Sequence, residues 1–250
     1  MRCDTKNETE NVIGRILFLG DSITQDGKYI SYLNKWIKLS ALKEKIELFN
    51  CGLSSETVSG LSEPDHPFPR PCLLSRIDQI LNEVKPNWVV FCYGMNDAVY
   101  YPFSQSRFSA FIQGYKRAIL AAREAGARVV LCTPPIFDAE SFSAAGGVLL
   151  PEGEEKYSYQ RAFERYDSVL NLYATCVETD LASLADYVID IRTPLMDDLL
   201  NRRTENRKAV HGDGIHPGAR GHRVIARTIL KAFWGADAEI AGQIAVQVGE

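Results

Sequence analysis

The sequence predicts an α/β fold in which helices cover both faces of a parallel β-sheet. Short apolar runs, typical of strands buried on both faces, alternate along the chain with segments whose apolar residues recur at helical spacing. This alternation, without an internal repeat, favours right-handed strand–helix–strand units. The chain has 250 residues, 46% of them hydrophobic, which suffices for a large core. We therefore expect one domain over residues 1–250, with its ordered core at about residues 14–234.

The first predicted strand leads into a helix through the sequence Gly-Asp-Ser. Residues 16–19 are apolar throughout, and apolar side chains at helical spacing resume at Tyr29. Ser22 is therefore placed at the carboxyl end of the strand, where open α/β sheets bind ligands and a helix N-terminus presents unpaired N–H groups. In the alternative interpretation, Ser22 only caps the helix.

The remaining elements are predicted in order from the same two periods. Predicted strands cover residues 46–51, 88–93, 128–132 and 187–191, and predicted helices cover residues 73–84, 108–119, 162–173 and 224–233. Residues 236–250 are expected to form a last short helix or a tail. Gly52 follows the second strand, and Asn96 follows the third within the sequence Gly-Met-Asn-Asp. Because the carboxyl ends of parallel strands open on one edge, we expect Ser22, Gly52 and Asn96 to lie near one another.

Three stretches without periodicity are predicted as loops. Residues 53–71 and 137–157 are long, and loops of that length in a compact domain are usually functional or mobile. The second loop leaves the fourth strand at the edge that carries Ser22, so it forms either one wall of a site or a surface insertion. The richest basic stretch is interrupted by an acidic residue and is predicted as a solvated loop. It contains Arg202, Arg203, Arg207 and Lys208.

Charge and cysteine content exclude several classes of partner. The formal net charge is −4 and no dense Lys/Arg stripe is present, which excludes a surface for nucleic acids or anionic membranes. The six cysteines have no C-x-x-C spacing, so we expect reduced thiols and no zinc site. Residues 1–11 lack the apolar core of a signal peptide, and no apolar run reaches the ~18 residues of a membrane span. We expect a cytoplasmic protein.

A base for Ser22 is predicted late in the chain, in the sequence Asp-Gly-Ile-His-Pro that begins at Asp213. An aspartate three residues ahead of a histidine on a turn can reach the histidine Nδ1 and leave Nε2 for a serine. Asp213 and His216 therefore form a candidate triad with Ser22. We expect His211 and His222 to be surface histidines. The alternative is a metal cluster of these two with His216.

Four sequence blocks together resemble the SGNH, or GDSL-type, serine hydrolases. In family order they are Gly-Asp-Ser-Ile-Thr at residues 20–24, Gly52, Gly-Met-Asn-Asp at residues 94–97 and Asp-Gly-Ile-His-Pro at residues 213–217. The resemblance extends over residues 15–233. It implies a flavodoxin-like three-layer α/β/α sandwich whose five-stranded parallel sheet has the order 2-1-3-4-5. It also implies ester hydrolysis. We expect no cofactor and no metal.

The resemblance also implies a role for each matched residue. Ser22 would be the nucleophile, His216 the base, and Asp213 the acid that orients it. The Ser22 N–H, the Gly52 N–H and the side-chain amide of Asn96 would form the oxyanion hole. These roles are chemically consistent, because an ester carbonyl attacked by serine needs a proton acceptor and donors for the oxyanion.

The substrate is predicted from the loops expected to border the pocket. Residues 66–70 and the aromatic residues Tyr100, Tyr101 and Phe103 offer both rings and polar groups, which suits a sugar ring better than a long acyl chain. Alternatively, these rings only pack the loops. No extended apolar lid is present, which argues against a true lipase. We therefore expect an esterase for short-acyl, acetyl-type esters, with O-deacetylation of carbohydrates as the favoured reaction.

Alternative functions remain open. A flavodoxin-like module would bind FMN or phosphate at residues 20–24, although such a module has no use for Asp213 with His216. Within the same family, the protein would be a lipase, a thioesterase or an acyltransferase that passes the acyl group to an acceptor other than water.

Overall fold

The computed structural model describes residues 12–235. Within this range the strands are β1 (Gly14–Gly20), β2 (Ile46–Asn50), β3 (Trp88–Cys92), β4 (Arg128–Cys132), β5 (Val148–Leu150), β6 (Arg161–Phe163) and β7 (Tyr187–Ile189). The α-helices are α1 (Ser22–Asp26), α2 (Lys28–Leu39), α3 (Ile77–Val84), α4 (Gln105–Glu124), α5 (Ala139–Ala144), α6 (Tyr166–Glu178), α7 (Arg192–Glu205) and α8 (Gly218–Trp234). Residues 236–250, predicted as a last short helix or tail, lie outside the described residues.

Five parallel strands form the central sheet in the order β2-β1-β3-β4-β7. At its centre, Leu17 lies opposite Val89, and Val89 lies opposite Val129. This arrangement confirms the predicted α/β fold and strand order. The last strand of the sheet is the seventh in the chain, because β5 and β6 pair with each other in a separate two-stranded parallel sheet.

Alternate residues of β1 face opposite layers of helices. Leu17 and Leu19 pack in one apolar core with residues of α3, α4 and α6, whereas Ile16 and Phe18 pack in the other with residues of α2, α7 and α8. All four side chains are fully buried. Full burial of a large apolar side chain stabilises by about 1.5–3 kcal/mol, so residues 16–19, which are covered on both faces, are all apolar.

The prediction of an irregular loop over residues 137–157 is wrong. This stretch contains α5 and β5, and β6 takes the first residues of the predicted helix 162–173, so that α6 begins at Tyr166. Strands of three residues are too short for a period-two pattern to be recognised. By contrast, residues 53–71 contain no helix or regular strand, as predicted.

The basic stretch predicted as a solvated loop is largely helical. Arg202 and Arg203 belong to α7, a helix dominated by charged residues and therefore not recognised from apolar spacing. The Arg203 side chain is 14% exposed and donates two hydrogen bonds to Asp138, of 3.0 and 2.6 Å. Of the four basic residues, only Arg207 and Lys208 lie beyond α7, and both are exposed.

Two further observations concern the described part of the chain. No helix between residues 12 and 235 combines the length and apolarity needed to span a bilayer. Each cysteine from Cys51 to Cys176 is a free thiol. Three of them, Cys51, Cys92 and Cys132, lie in or directly after core strands, where cysteine packs as a small apolar residue.

Candidate active site

Ser22 lies where β1 ends and α1 begins. Asp21 caps α1 by accepting a hydrogen bond from the Ile23 amide at 3.0 Å, which leaves Ser22 as the first helical residue. Ser22 Oγ lies 2.8 Å from His216 Nε2. His216 Nδ1 donates to Asp213 Oδ2 at 2.8 Å. The structure therefore joins Ser22, His216 and Asp213 by consecutive hydrogen bonds, the arrangement that transfers a serine proton to a histidine.

The turn before α8 fixes Asp213 relative to His216. Asp213 Oδ1 accepts from the amides of Ile215 (2.9 Å) and His216 (2.6 Å), while Oδ2 binds the imidazole. Gly214 has a φ of +89°, and a Cβ there would lie 2.5 Å from the backbone nitrogen of Phe142 in α5. Only glycine therefore allows this turn to pack against α5.

A partly buried ion pair attaches the same turn to α5 and α7. Arg203 of α7 binds Asp138, the N-cap of α5, with both guanidinium amino groups. Ser141 Oγ donates to the Asp138 carboxylate and accepts from the His211 amide at 2.7 Å. The Asp138 amide donates to the carbonyl oxygen of Gly214 at 2.9 Å. The turn before α8 is thereby held from both sides.

The hydrogen bond between His216 and Asp213 shifts the pKa of both groups. It raises the pKa of His216 above the ordinary value of 6.5. Burial opposes the ionisation of Asp213, but the hydrogen bonds from the His216 side chain and amide outweigh it and lower the pKa of Asp213 to about 2. Asp213 is therefore a carboxylate at neutral pH and holds the His216 proton on Nδ1. Nε2 of the neutral imidazole can then accept a hydrogen bond from Ser22.

Gly52 follows β2 and packs against α1. The Leu53 amide donates to the Gly20 carbonyl at 2.9 Å, which continues the pairing of β1 with this segment beyond the strand ends. A Cβ on Gly52 would lie 2.3 Å from the Gln25 nitrogen, so this close approach requires glycine. The Gly52 N–H, predicted as an oxyanion donor, donates to Asn50 Oδ1 at 3.0 Å. This amide therefore already has an acceptor.

Asn96 lies after β3, and both ends of its carboxamide are hydrogen-bonded. It is 4% exposed. Nδ2 donates to the carbonyl oxygen of Glu56 at 3.3 Å, and the Tyr100 hydroxyl donates to Oδ1 at 3.0 Å. The adjacent Asp97 accepts from the Val58 amide at 2.9 Å, and burial raises the pKa of Asp97 to about 6. The segment after β3 is thus attached to the loop after β2.

Ser55 is a candidate donor that the sequence did not reveal. Its φ is 63°, in the left-handed region where glycine is the expected residue. Within the described part of the chain, every backbone amide from Cys51 to Leu61 donates a hydrogen bond except that of Ser55. Its neighbour Glu56 accepts the bond from Asn96. No side-chain pattern marks an unpaired backbone amide, so the sequence carries no signal for it.

The aromatic residues predicted to border a pocket fall into two groups. Tyr100 is 1% exposed, so its ring belongs to the core. Tyr101 is half-buried, whereas Phe103 is exposed. In the loop after β2, Phe68 is also exposed and packs edge-on against His66, with ring centroids 4.6 Å apart. Candidates for contact with a substrate are therefore the exposed rings, not that of Tyr100.

His211 and His222 are buried, so their prediction as surface histidines is wrong. His222 lies on the apolar face of α8, stacks on Tyr29 at 6.0 Å between centroids, and places Nε2 3.3 Å from Asp26 Oδ2. Burial lowers the pKa of each histidine to about 4, so both are neutral at pH 7. Among residues 12–235, no three His, Cys, Asp or Glu side chains are grouped to hold a metal ion.

Comparison with known proteins finds relatives over most of the chain. An acetylxylan esterase of Geobacillus stearothermophilus is 24% identical over 237 residues, which cover 87% of this chain and 92% of that protein. Among solved structures, the acetyl xylan esterase AlAXEase superposes with a TM-score of 0.65 at 21% identity, over 88% of this chain and 99% of its own. A gut microbial diltiazem-metabolizing enzyme superposes with a TM-score of 0.68 at 18% identity, over 91% of this chain and 48% of its own. The structural likenesses show a shared fold.

The family model of GDSL-like lipases and acylhydrolases matches residues 18–224. The match begins in β1 and ends in α8, so it includes every residue of the candidate site described above. It confirms the family that the four sequence blocks resemble. The chain belongs to the GDSL-like lipase/acylhydrolase family, and it is a carboxylic ester hydrolase.

Proposed function

We propose that the protein hydrolyses short-acyl esters, in particular acetyl esters of carbohydrates, through an acyl-enzyme formed on Ser22. The observation that carries this proposal is the pair of 2.8 Å hydrogen bonds that join Ser22 Oγ to His216 and His216 to Asp213. A serine hydroxyl is a weak nucleophile until an adjacent base takes its proton. Ester hydrolysis uses all three residues, whereas a module that binds FMN has no use for Asp213 and His216.

The reaction proceeds in two halves. Ser22 Oγ attacks the ester carbonyl carbon while His216 Nε2 takes the hydroxyl proton, and Asp213 stabilises the imidazolium that forms. His216 then gives the proton to the departing alcohol, which leaves an acyl group on Ser22. In the second half, a water molecule loses its proton to His216 and attacks the acyl carbon. Ser22 leaves with that proton, and the carboxylic acid is released.

The oxyanion is bound by donors at the ends of three strands. The Ser22 N–H is at the start of α1, where first-turn amides have no intrahelical acceptor, and Asn96 Nδ2 retains one N–H beyond its bond to Glu56. The family resemblance implies the Gly52 N–H as the third donor. This N–H donates to Asn50 Oδ1, so it can bind the oxyanion only if it gives up that hydrogen bond or shares it. The unpaired Ser55 N–H needs no such exchange, and we include it as the backbone donor from this loop.

The acetyl-carbohydrate substrate class is supported by two observations. The sequence relative of Geobacillus stearothermophilus is an acetylxylan esterase and matches 87% of this chain. The loop after β2 exposes the Phe68 ring beside the polar ring of His66, and Phe103 is exposed after β3. Exposed rings with neighbouring polar groups can stack on a sugar and bind its hydroxyls.

The proposal is tested by initial rates on p-nitrophenyl esters of increasing chain length and on acetylated xylooligosaccharides. Ser22→Ala should abolish activity, whereas the control Ser31→Ala, at an exposed position of α2, should leave it unchanged. Circular dichroism checks that both variants fold. Equal activity of wild type and Ser22→Ala would refute the serine mechanism. Rates that rise from acetyl to long-chain esters would refute the substrate class alone, and acyl products formed with competing alcohols would indicate acyl transfer.

A further inference from the structure

The orientation of the Asn96 carboxamide is determined by its two hydrogen bonds. The carbonyl oxygen of Glu56 can only accept, so the end of the carboxamide that meets it, at 3.3 Å, must be the amino group. The other end is then the oxygen, and it accepts from the Tyr100 hydroxyl at 3.0 Å. One of the two N–H groups on Nδ2 remains for a further acceptor. A reversed carboxamide would face the Glu56 carbonyl with its own oxygen and lose that bond, so Glu56 decides which end is which and the Tyr100 hydroxyl adds a second bond to the same orientation.

Tyr100 is itself held in an unusual backbone conformation. Val99 and Tyr100 have φ angles of 48° and 65°, in the left-handed region that is strained for residues other than glycine. The Tyr100 carbonyl accepts from the Phe163 amide of β6 at 2.9 Å. Its ring stacks on Tyr166, with centroids 4.9 Å apart, and Tyr166 donates to the Met95 carbonyl at 2.8 Å. Strained backbone persists only where such surrounding contacts hold it.

A buried ion pair lies against the Tyr100 ring. Arg70 binds Glu63 through two hydrogen bonds of 2.5 and 2.6 Å, and neither side chain is more than 1% exposed. The Arg70 guanidinium lies 5.6 Å from the centre of the Tyr100 ring, within the range of a cation–π contact. Its Nη1 also donates to the carbonyl oxygen of Ser55 at 3.2 Å. One guanidinium therefore contacts both Tyr100 and the loop segment that carries the free Ser55 amide.

We propose that Tyr100 is a positioning residue for the oxyanion hole. Its hydroxyl donates to Oδ1 and holds the Asn96 carboxamide in the orientation that the Glu56 carbonyl selects, in which one N–H of Nδ2 remains for the oxyanion, and the Arg70–Glu63 ion pair holds the Tyr100 ring in place. Tyr100 does not touch the substrate, because its ring is buried. The inference rests on the proposed role of Asn96 as an oxyanion donor, and it adds the residues that make this donor available.

The test is a double-mutant cycle on the full chain with p-nitrophenyl acetate as substrate. Asn96→Ala should lower kcat by about 10²–10³-fold, the usual effect of removing one oxyanion donor. Tyr100→Phe removes one oxygen atom and should lower kcat by at least about 10-fold, with KM changed by less than about 2-fold. In the Asn96→Ala background, Tyr100→Phe should cause no further loss of kcat. Tyr157→Phe is the matched control, since Tyr157 is 2% exposed and the change removes a hydroxyl that donates to the Pro151 carbonyl oxygen at 2.6 Å; it should keep wild-type kcat.

The outcomes separate this inference from the proposed function. Wild-type kcat in Tyr100→Phe, or a full further loss in the double variant, would overturn the positioning role while leaving Asn96 as a donor. Wild-type kcat in Asn96→Ala together with an inactive Ser22→Ala would overturn the donor and its positioning residue, and leave the serine mechanism intact. If Tyr100→Phe does not fold, Arg70→Lys takes its place, because lysine keeps the charge but not the planar fork against the ring. The loss of kcat caused by Arg70→Lys should be clearly smaller in the Asn96→Ala background, where only its contact with the Ser55 segment still matters, and an undiminished loss there would overturn the inference.

Discussion

Replacing Asp213 with asparagine tests how much catalysis depends on the charge of this carboxylate. The substituted side chain keeps one oxygen for the amides of Ile215 and His216, so its amino group faces His216 Nδ1. An amino group can only donate, so the imidazole proton moves to Nε2. Nε2 then cannot accept the proton of Ser22. We expect a folded protein with strongly reduced activity.

The exposure of the ion pair determines the size of this loss. The side chains of His216 and Asp213 are 43% and 47% exposed. Two unit charges about 4 Å apart attract by about 1 kcal/mol in water and about 4 kcal/mol at an effective dielectric constant of about 20. Removing the carboxylate charge therefore lowers kcat by about 5- to 1000-fold, and the wrong tautomer places Asp213→Asn at the upper end. A fully buried triad aspartate shows a loss of roughly 10⁴-fold.

The measurement is kcat and KM for p-nitrophenyl acetate with Asp213→Asn, Asp213→Ala and a control, Asp198→Asn. Asp198 forms ion pairs with Arg202 and Arg220 on α7 and α8, so its substitution removes a charge without touching the site. Asp213→Ala should retain more activity than Asp213→Asn, because water can replace the lost acceptor at an exposed position. Wild-type kcat in Asp213→Asn, or a lower kcat in Asp213→Ala than in Asp213→Asn, would refute the reasoning.

Four further predictions follow from the same structure. The value of kcat/KM should fall as the pH drops, because protonated His216 cannot take the serine proton. The hydrogen bond to Asp213 raises the pKa of His216, so the midpoint of this fall should lie above pH 6.5. A midpoint below pH 6.5 would contradict this effect of Asp213. Arg70→Met should lower the free energy of unfolding in urea by about 3–5 kcal/mol, because Glu63 is left charged and unpaired in the core. The double variant Arg70→Met/Glu63→Leu should recover most of that loss, and an equal loss in both would exclude the ion pair as the cause. Leu131→Ala, at a fully buried position of β4, should cost about 2–5 kcal/mol in the same assay, and a much smaller cost would mean that the core closes over the cavity.

Most of the fold follows from patterns within short stretches of the sequence. The continuous apolar run of β1 and the helical spacing of apolar residues in α2, α3, α4 and α8 show which side of each element is buried. This pattern is visible within each element, without knowledge of the segment that covers it. The elements that were missed, namely α5, β5, β6 and α7, are short or rich in charge. Arg203 of α7 shows the reason, since its charge is balanced by Asp138, a residue 65 positions away.

The candidate triad was predictable for a local reason. Asp213 and His216 lie three residues apart on one turn, so their hydrogen bond follows from the local sequence. Ser22 lies at the end of a strand, so its position at the edge of the sheet also follows from the local sequence. The buried His222 was not predictable, because a histidine on an apolar helix face is recognised only once the element that covers it is known. In this structure it is covered by Tyr29 of α2.

The sequence alone therefore determined the α/β class, the strand order through a family resemblance, and the three residues that the structure joins by hydrogen bonds as a candidate triad. The tertiary structure alone decided which donors are available. Gly52 and Ser55 both lie in the loop after β2, yet the first amide is bonded to Asn50 and the second is unpaired. The orientation of Asn96 likewise depends on Tyr100 and Glu56. A residue type fixes how many hydrogen bonds a group can make, but whether a partner occupies them depends on segments brought together by folding.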